Sequence, residues 1–398
     1  MDITITPRKL KGKISAIPSK SQAHRLLICA AFSDNPTYLE CAQTNEDIEA
    51  TARCLCALGA QITHDGKGYC ITPIRNIPQN AALDCGESGS TLRFLLPVVC
   101  ALGINTIIQM HGRLPYRPLS PLWEELERMG CKLTRPTKTT IETRGMLNAG
   151  SFQVNGNISS QFITGLLFAA ALLPGHSTIT ITGELQSKPY IALTQQALSL
   201  FGVDTTNYCV TGSFPFRSPG KITVEGDWSN GAFFLAANAL GNAIDIANLN
   251  TNSLQGDRAI ADILRNLSAM PTISVADIPD LTPILAVTFG ATTGAVFTDI
   301  GRLRLKESDR VASICNMINN LGAHAVATDN TLTVTPGSYH SCLIDTVNDH
   351  RIAMAAAIAA TVAEGPITIL GAECVAKSYP SFWRDYELLG GKYEQYLR

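Results

Sequence analysis

The chain has 398 residues, which is enough for two or three domains with large cores. Charged residues make up only 16% of it, against about a quarter in a typical soluble protein, so much of the helical surface must be buried. The net charge of −2 argues against a general binder of nucleic acid or acidic membranes, because such binding needs a basic excess. Any anion site must therefore be local.

Neither a membrane span nor a metal site is indicated by the sequence. The longest apolar runs, such as residues 162–174, are shorter than the roughly 20 residues that cross a bilayer. Because the first residues form a polar, strand-like segment, we expect no signal peptide. We therefore expect a soluble, cytoplasmic monomer that binds neither nucleic acid nor membrane. The twelve cysteines show no CxxC pair or zinc-type spacing, so we expect reduced, buried thiols and no metal or organic cofactor.

Taken in chain order, local patterns predict several elements besides the repeated helices described below. They are an edge strand in residues 1–15, a helix over 39–58, a hairpin at 66–74 with Gly66 or Gly68 in its turn, an amphipathic helix over 119–129, a strand over 177–183, a hairpin around 207–220, a helix after residues 255–258 and a helix start at 306–310. Residues 224–227 are interpreted as a crossing between two halves of the chain.

The dominant feature is a repeat, in which a short run of small polar residues opens directly into an apolar segment of helical length. The six copies centre on Ser21, Gly89, Ser160, Ser229, Leu281 and Asp349. Their steps are about 68, 71, 69, 52 and 68 residues, so the period survives a shortening between the fourth and fifth copies. Polar caps followed by runs that are apolar on nearly every side predict six buried helices.

Cations accompany several of these helix starts. A helix N-terminus presents free N–H groups and a partial positive charge, which suits an anion. Lys20, Arg25, Arg93 and Arg351 lie beside such starts, where a cation costs stability unless an anion is bound. An ordinary cap on a core helix is the simpler explanation for any single copy, but the recurring cations favour anion sites.

Four loops carry further chemistry. Residues 86–93 resemble a nucleotide-binding loop but lack its lysine, which excludes ATP, while Gly89 would let a small ligand approach the backbone. Arg117 precedes a proline and is therefore held extended. The neutral set at residues 159–161 suits a phosphate or sugar-like hydroxyls. At residues 306–310, a capped helix start explains Ser308 and Asp309 but does not require Lys306 and Arg310.

These motifs follow one another in an order that resembles a known family. They read PSKSQAHR, GESGSTLR, RPLSPL, SSQF, SKPY, EGDWSNGAFFLAA, QGD, IPD, LRLKESDR, NDHRIAMA and AKSYP. Together they resemble the enolpyruvyl transferases over essentially the whole chain, and within that family the branch that acts on shikimate 3-phosphate. The resemblance implies an α/β fold, a two-domain inside-out α/β barrel with six βαβαββ-type repeats, three per domain, and with buried helices. Residues 1–17 and 226–398 would form the lower domain and residues 18–225 the upper one, with the active site in the cleft between them.

The resemblance also implies a reaction and its residues. The enolpyruvyl group of phosphoenolpyruvate would pass to the 5-hydroxyl of shikimate 3-phosphate, without a cofactor, in aromatic amino acid biosynthesis. The positions implied for shikimate 3-phosphate are Lys20, Ser21, Arg25, Ser159, Ser160, Gln161, Ser187, Tyr190, Asp280 and Lys306. Those implied for phosphoenolpyruvate are Lys20, Gly89, Arg117, Gln161, Glu307, Arg310, Arg351 and Lys377. We hypothesise that Asp280 is the base and that Glu307, with Lys20, donates the proton.

Two other functions compete with this one. The sister branch transfers enolpyruvate to UDP-N-acetylglucosamine, but its usual reactive cysteine falls in the loop at residues 112–118, which has none here. A non-catalytic anion-binding repeat protein would need cations but not Asp280 and Glu307 together. Two departures from the family pattern stand out: Arg302 and the pair Glu87-Ser88 replace a common Asn and a common Asn-Ala.

Overall fold

Two compact units divide the chain. In this computed structural model, which describes residues 1–267 and 270–396, unit 1 contains Met1–Ile17 and Glu225–Arg398, and unit 2 contains Pro18–Val224. The chain therefore passes from one unit to the other twice. Each unit has its own core of buried apolar side chains.

The helices are numbered along the whole chain. They are α1 Lys20–Ala31, α2 Glu46–Ala57, α3 Gly89–Ala101, α4 Leu122–Arg128, α5 Ser160–Leu172, α6 Lys188–Leu200, α7 Trp228–Ala239, α8 Ile260–Arg265, α9 Thr282–Gly290, α10 Arg310–Leu321, α11 His350–Ala359 and α12 Phe382–Leu388. Short 3-10 turns lie at Leu114–Tyr116, Thr206–Tyr208, Gly256–Ala259, Ile300–Leu305 and Ala372–Lys377.

The six repeated helices are confirmed as α1, α3, α5, α7, α9 and α11. Five of them start at a side chain that accepts a hydrogen bond from a backbone N–H two or three positions on, which satisfies one of the free donors of the first turn. These caps are Ser19, Ser88, Ser159, Asp227 and Asp349. Leu281 stands at the cap position of α9, where Pro283 suits the first turn because it has no N–H to satisfy.

The predicted burial of these helices is also confirmed. Every residue of α9 and α11 is buried. In α3 only Ser90 is less than buried and in α5 only Gln161, and the Gln161 side chain donates to Ser90 Oγ at 3.0 Å. An apolar helix surface on all sides explains the position in the core, and the two polar exceptions mark where the helices meet a polar site.

Three sheets were found among the described residues of unit 2. Their strands are β3 Thr37–Glu40, β4 Gln61–His64, β5 Gly68–Thr72, β6 Asn80–Asp84, β7 Asn105–Gln109, β8 Cys131–Thr137, β9 Thr140–Gly145, β10 Ser151–Asn155, β11 His176–Thr182, β12 Cys209–Thr211 and β13 Lys221–Thr223. The strand orders are β13-β3-β5-β4, β6-β7-β9-β8 and β10-β11-β12.

The described part of unit 1 likewise contains three sheets. Their strands are β1 Asp2–Thr6, β2 Lys11–Ser15, β14 Ala243–Ala247, β15 Thr272–Ser274, β16 Ala295–Thr298, β17 His324–Ala327, β18 Thr331–Thr335, β19 Cys342–Asp345, β20 Ile367–Leu370 and β21 Lys392–Tyr396. The strand orders are β19-β20-β1-β21, β14-β2 and β15-β16-β18-β17. The mixed α/β class with helices buried against sheets is as predicted.

Each sheet contains one parallel pair of strands, and the pairs explain the two passages of the chain. The helices α3, α5, α9 and α11 each connect the two parallel strands of one pair. The helix α1 instead connects β2 to β3, yet β2 pairs with β14 and β3 pairs with β13. The helix α7 connects β13 to β14. Each of these two pairs therefore combines one strand of the first repeat with one strand of the fourth. Since β2 and β14 lie in unit 1 and β3 and β13 lie in unit 2, the chain must pass between the units twice.

Four local predictions were wrong in part. Residues 1–15 form two strands, and β1 lies between β20 and β21 instead of at an edge. The helix expected at 39–58 starts at Glu46, because residues 37–40 pair as β3. The helix expected at 119–129 is the shorter α4, which starts after Pro121. The hairpin expected at 207–220 does not form, since β12 pairs with β11 and β13 with β3.

The remaining local predictions agree with the structure. Gly66 occupies the turn between β4 and β5 with a positive φ of 87°, and residues 176–182 form β11. All twelve cysteines are free thiols. The expected burial holds for seven of them but is wrong for Cys56 and Cys70, which are exposed, and for three that are half-buried.

The described residues contain neither a candidate membrane-spanning helix nor a candidate metal site. No helix within 1–267 or 270–396 is both long and apolar enough to cross a membrane. In the same ranges, His, Cys, Asp and Glu side chains do not gather in a group of three or more that could hold a metal ion.

Candidate active site

Arg25 connects three helices of unit 2. Its guanidinium donates to Thr194 Oγ1 of α6 at 2.8 Å and to the carbonyl oxygens of Ser21 and Tyr190 at 2.5 and 2.9 Å. It also donates to Thr164 Oγ1 of α5 at 3.4 Å. Burial lowers the pKa of Arg25 to about 10, so the group remains charged at neutral pH. Arg25, Ser21 and Tyr190, all predicted for shikimate 3-phosphate, therefore lie together.

Arg93 connects the residues predicted for phosphoenolpyruvate in unit 2. Its guanidinium donates to Gln161 Oε1 at 3.2 Å and to the carbonyl oxygen of Pro118 at 3.1 Å. A Cβ built on Gly89 would lie 2.6 Å from Nη1 of both Arg93 and Arg117. Because glycine has no side chain there, the two guanidinium groups can approach the backbone closely. The extended backbone predicted for Arg117 is confirmed, with φ −79° and ψ 136°.

Lys20 forms an ion pair at the first turn of α1. Its Nζ lies 2.8 Å from Asp47 Oδ2, and both side chains are less than one-fifth exposed. The expectation that Lys20 and Arg25 cost stability unless an anion is bound is therefore wrong, since Asp47 balances Lys20 and hydrogen bonds satisfy Arg25. These partners lie 27 or more residues away along the chain for all but Ser21, so the local sequence does not reveal them.

The other predicted residues of unit 2 lie at two helix starts. Ser159 caps α5 and Ser160 is its first residue, next to Gln161. Ser187 precedes α6 in the left-handed conformation, with φ 58°, and Tyr190 lies in the first turn of α6. Because Arg25 donates to the Tyr190 carbonyl of α6 and to Thr164 Oγ1 of α5, the N-terminal parts of α5 and α6 belong to the same polar region as α1.

In unit 1 the predicted base lies inside a ring of cations. Asp280 Oδ1 accepts a hydrogen bond from Arg310 Nη1 at 2.8 Å and lies 3.5 Å from Lys306 Nζ. Its other carboxylate oxygen accepts from Arg351 Nη2 at 2.9 Å. Burial by itself would raise the pKa of this carboxyl, but Arg351, Lys306 and Arg310 together hold the pKa well below its ordinary value. We name these four residues the Asp280 cluster.

Arg310 is wholly buried and binds three carboxylates. Besides Asp280, it donates to Glu307 Oε2 at 2.6 Å and through Nε to Asp349 Oδ2 at 3.0 Å. Burial favours the neutral form, but the three carboxylates outweigh it and raise the pKa of Arg310 above its usual value. Burial lowers the pKa of Lys306, and the nearby Asp280 partly restores it. The predicted acid, Glu307, therefore binds the same guanidinium group, that of Arg310, as the predicted base, Asp280.

Lys377 lies at the N-terminal end of α11, where Asp349 is the cap. Its side chain is buried, and Nζ donates to the carbonyl oxygen of Asn348 at 3.1 Å, directly before the cap Asp349. The structure thus brings Lys377 to the start of the helix that also carries Arg351.

Three residues of these clusters were absent from the predicted site. Asp47 follows the helix start of α2 and gave no signal beyond an acidic first turn, while Arg93 appeared only as a cation beside a cap. Asp349 was recognised as a cap, but it also accepts from Ser308 Oγ and Arg310. The string NDHR, in which an acid precedes two basic residues, was the available signal for that second contact.

Solved structures resemble the whole chain. EPSP synthase from Acinetobacter baumannii superimposes with a TM-score of 0.80 at 23% identity, covering 99% of this chain and 100% of its own. The enolpyruvyl transferase NikO from Streptomyces tendae gives a TM-score of 0.75 at 15% identity, covering 99% and 98%. The fold is therefore that of the enolpyruvyl transferases.

Sequence relatives narrow this class to one family. Proteins named 3-phosphoshikimate 1-carboxyvinyltransferase from Clostridium botulinum (strain Eklund 17B) and Clostridium acetobutylicum are 36% and 37% identical to this chain. The alignments cover 98% of this chain in both cases, and 98% and 97% of those proteins. A family model described as EPSP synthase (3-phosphoshikimate 1-carboxyvinyltransferase) matches residues 5–272 and 268–386. The chain belongs to the EPSP synthase family.

Proposed function

We propose that this chain is a 3-phosphoshikimate 1-carboxyvinyltransferase. It transfers the enolpyruvyl group of phosphoenolpyruvate to the 5-hydroxyl of shikimate 3-phosphate, releasing phosphate, in the shikimate pathway. The observation that carries the proposal is the Asp280 cluster, where a carboxylate is held by three cations in a chain of the EPSP synthase family.

The negative charges of the two substrates explain why the proposed site contains several Arg and Lys side chains. Each substrate has a phosphate and a carboxylate, about −3 at neutral pH, and charge-assisted hydrogen bonds to Arg and Lys are the strong way to bind such groups. We assign shikimate 3-phosphate to Lys20, Ser21, Arg25, Ser159, Ser160, Gln161, Ser187, Tyr190, Asp280 and Lys306. We assign phosphoenolpyruvate to Lys20, Gly89, Arg117, Gln161, Glu307, Arg310, Arg351 and Lys377.

Asp280 takes the proton of the 5-hydroxyl as that oxygen bonds to C2 of phosphoenolpyruvate. In the free enzyme its depressed pKa makes it a weak base. Anions that bind Arg310 and Arg351 offset the positive charge around Asp280 and raise its proton affinity. The substrates thus strengthen the base that they need.

Glu307, with Lys20, supplies the proton that C3 gains in the same addition. The tetrahedral intermediate then returns a proton from C3 to the Glu307 carboxylate while the C2–O bond to phosphate breaks, which restores the double bond and releases phosphate. Glu307 lies 2.6 Å from Arg310, so the acid and the base are held by one guanidinium.

Phosphate release tests the proposed reaction. The purified protein is mixed with phosphoenolpyruvate and either shikimate 3-phosphate or UDP-N-acetylglucosamine. Phosphate release with shikimate 3-phosphate, but not with UDP-N-acetylglucosamine, supports the proposal. Release with the nucleotide sugar alone assigns the chain to the sister reaction, and tight binding without release would make it a binding protein.

Gly89→Ala is expected to raise KM for phosphoenolpyruvate by about 10-fold to 100-fold. This is the change in affinity that the loss of one charge-assisted hydrogen bond produces. The reason is that the new Cβ would occupy the space of the Arg93 and Arg117 guanidinium groups. Steady-state kinetics with each substrate varied measures the effect. The matched control is Gly301→Ala, whose Cβ would meet no atom within 4 Å. Equal KM values in the two variants would contradict the prediction.

Asp47→Ala is expected to lower kcat/KM by about 10-fold to 100-fold, because Lys20 loses the partner that fixes its position. Asp47→Glu should restore part of the activity, which a purely structural role for the residue would not predict. Glu46→Ala, an exposed neighbour in the same helical turn, is the control. Unchanged kinetics in Asp47→Ala would remove this residue from the site.

We further propose a cytoplasmic monomer. Light scattering during size exclusion should then give the mass of one chain, 42.6 kDa, and cell fractionation should find the protein in the cytoplasmic fraction. A larger mass that persists on dilution would overturn the monomer.

A further inference from the structure

Glu87 departs from the family pattern and has no role in the assigned site. It lies between β6 and α3, two residues before Gly89, and is half-buried. Its side chain lies directly against Gly112, because a Cβ built on that glycine would overlap the Glu87 carboxylate and lie 2.9 Å from Cγ. Gly112 also has a φ of 53°, which suits glycine. The space beside Gly112 is therefore occupied by Glu87.

Gly112 belongs to residues 110–117, which we name the Arg117 loop. Two further contacts join the start of this loop to the segment before α3. The His111 N–H donates to the carbonyl oxygen of Gly86 at 2.8 Å, and His111 Nε2 lies 2.9 Å from Asp84 Oδ1. The Asp84 and His111 side chains are both about half exposed, and an exposed pair of this kind contributes little. The backbone bond and the packing of Glu87 therefore matter more.

Backbone hydrogen bonds continue from these contacts to Arg117. The Leu114 N–H donates to the His111 carbonyl at 3.1 Å, and the Arg117 N–H donates to the Leu114 carbonyl at 3.2 Å. At the end of the loop, Nη1 of Arg117 would lie 2.6 Å from a Cβ on Gly89. The segment before α3 therefore touches the loop twice, with Glu87 at its start and with Gly89 at Arg117.

We propose that Glu87 is a positioning residue for phosphoenolpyruvate. By packing on Gly112, its side chain fixes the start of the Arg117 loop and thereby the direction of the Arg117 guanidinium. The inference rests on the proposed function for the identity of the ligand. A carboxylate so close to an anion site would by its charge alone oppose the ligand, so its place there calls for a contribution from packing.

Two variants separate the packing of Glu87 from its charge. Glu87→Gln removes the charge and keeps the shape, whereas Glu87→Ala removes both. Losing the charge should lower KM for phosphoenolpyruvate equally in the two variants, because a repulsion disappears. Losing the packing should raise KM in Glu87→Ala alone, by about 5-fold to 50-fold relative to Glu87→Gln. Steady-state kinetics that give equal KM values in the two variants would overturn the proposal.

The turnover number adds a second readout. Arg117 would hold the ligand in the ground state and in the transition state alike, so kcat of Glu87→Ala should stay within about threefold of Glu87→Gln. A fall in kcat with an unchanged KM would give Glu87 a different role and would also overturn the proposal.

A double-mutant cycle tests whether Glu87 acts through Arg117. In the Arg117→Ala background, replacing Glu87 by Ala instead of Gln should change KM for phosphoenolpyruvate by less than about twofold. Glu124→Ala, which removes an exposed carboxylate from α4 of the same unit, is the control and should match its parent in both backgrounds. A Glu87 effect of equal size with and without the Arg117 side chain would contradict the inference.

Hydrogen exchange gives a readout that needs neither ligand nor activity. In the full chain, Glu87→Ala should speed exchange of the amides of His111, Leu114 and Arg117, whose hydrogen bonds hold the loop. Exchange in the buried helix α5 should stay as in the wild type, and Glu87→Gln should exchange as the wild type throughout. Unchanged exchange in the Arg117 loop of Glu87→Ala would overturn the positioning role.

The outcomes separate this inference from the proposed function. If no phosphate is released with shikimate 3-phosphate, the reaction assigned to the chain fails, and calorimetry with phosphoenolpyruvate replaces the kinetics. Faster exchange in the Arg117 loop together with weaker binding by Glu87→Ala than by Glu87→Gln would then still support the role of Glu87. Equal binding by the two variants would overturn that role even in an active enzyme.

Discussion

Asp280→Asn is expected to lower kcat by about 100-fold to 10,000-fold, the usual contribution of a general base. The amide keeps the shape of the side chain but has no lone pair that takes up a proton at neutral pH. Binding of phosphoenolpyruvate should stay as tight or become tighter, because the variant removes a negative charge from between Arg310 and Arg351. Single-turnover kinetics and calorimetry on the same protein measure the two effects.

The control for this variant is Asp329→Asn, an exposed carboxylate in the turn between β17 and β18. It should match the wild type in both measurements. The account of Asp280 as the base would be contradicted by an unchanged kcat, or by a loss of turnover that is fully explained by weaker binding.

Asp349→Ala is expected to destabilise the protein by about 3–5 kcal/mol, the cost of removing one partner from a buried ion pair. Arg310 is wholly buried, and Asp349 accepts hydrogen bonds from it, from Ser308 and from the backbone N–H of Arg351. Asp280 and Glu307 remain as partners of Arg310, so the fold should survive at moderate temperature. Urea unfolding followed at several wavelengths measures the change.

Asp309→Ala is the matched control, since Asp309 caps α10 as Asp349 caps α11. Its side chain is 42% exposed and lies 3.6 Å from Arg304, so the substitution removes a cap and a surface ion pair, at a cost of about 1 kcal/mol. If the two variants lose equal stability, then the buried ion pair of Asp349 with Arg310 contributes nothing beyond a cap.

The parts of the fold that could be predicted are those set by local sequence. A polar cap followed by an apolar run determines where α1, α3, α5, α7 and α11 start, and the spacing of the repeat located α9 even though Leu281 stands at its cap position. These helices depend on residues within a few positions of each other, so their pattern is visible in one stretch of chain.

The errors came from pairing between distant segments. The predicted helix over 39–58 included residues 39 and 40, but these belong to β3 because Leu39 lies opposite Ile222, far along the chain. The same contact explains why residues 207–220 do not form a hairpin. The local sequence of β1 resembles that of an edge strand. It is an interior strand because β20 and β21, from the other end of the sequence, pair with its two sides.

In the candidate site, too, local motifs could be recognised but contacts between distant segments could not. Motifs identified Lys20, Arg25 and Asp280, since their residue types and order resemble a family. Their partners were not predictable from local sequence: Asp47 beside Lys20 and Arg351 beside Asp280 become neighbours only in the folded chain.

The transfer itself is tested most directly by proton NMR of the reaction in heavy water. With phosphoenolpyruvate and shikimate 3-phosphate, the account predicts a new enol ether on the 5-hydroxyl, with deuterium in part of its C3 vinyl positions. The deuterium arises because C3 gains a solvent-derived proton in the addition and loses one in the elimination. A product without deuterium would contradict the addition–elimination route, and the absence of the enol ether would contradict the proposed function.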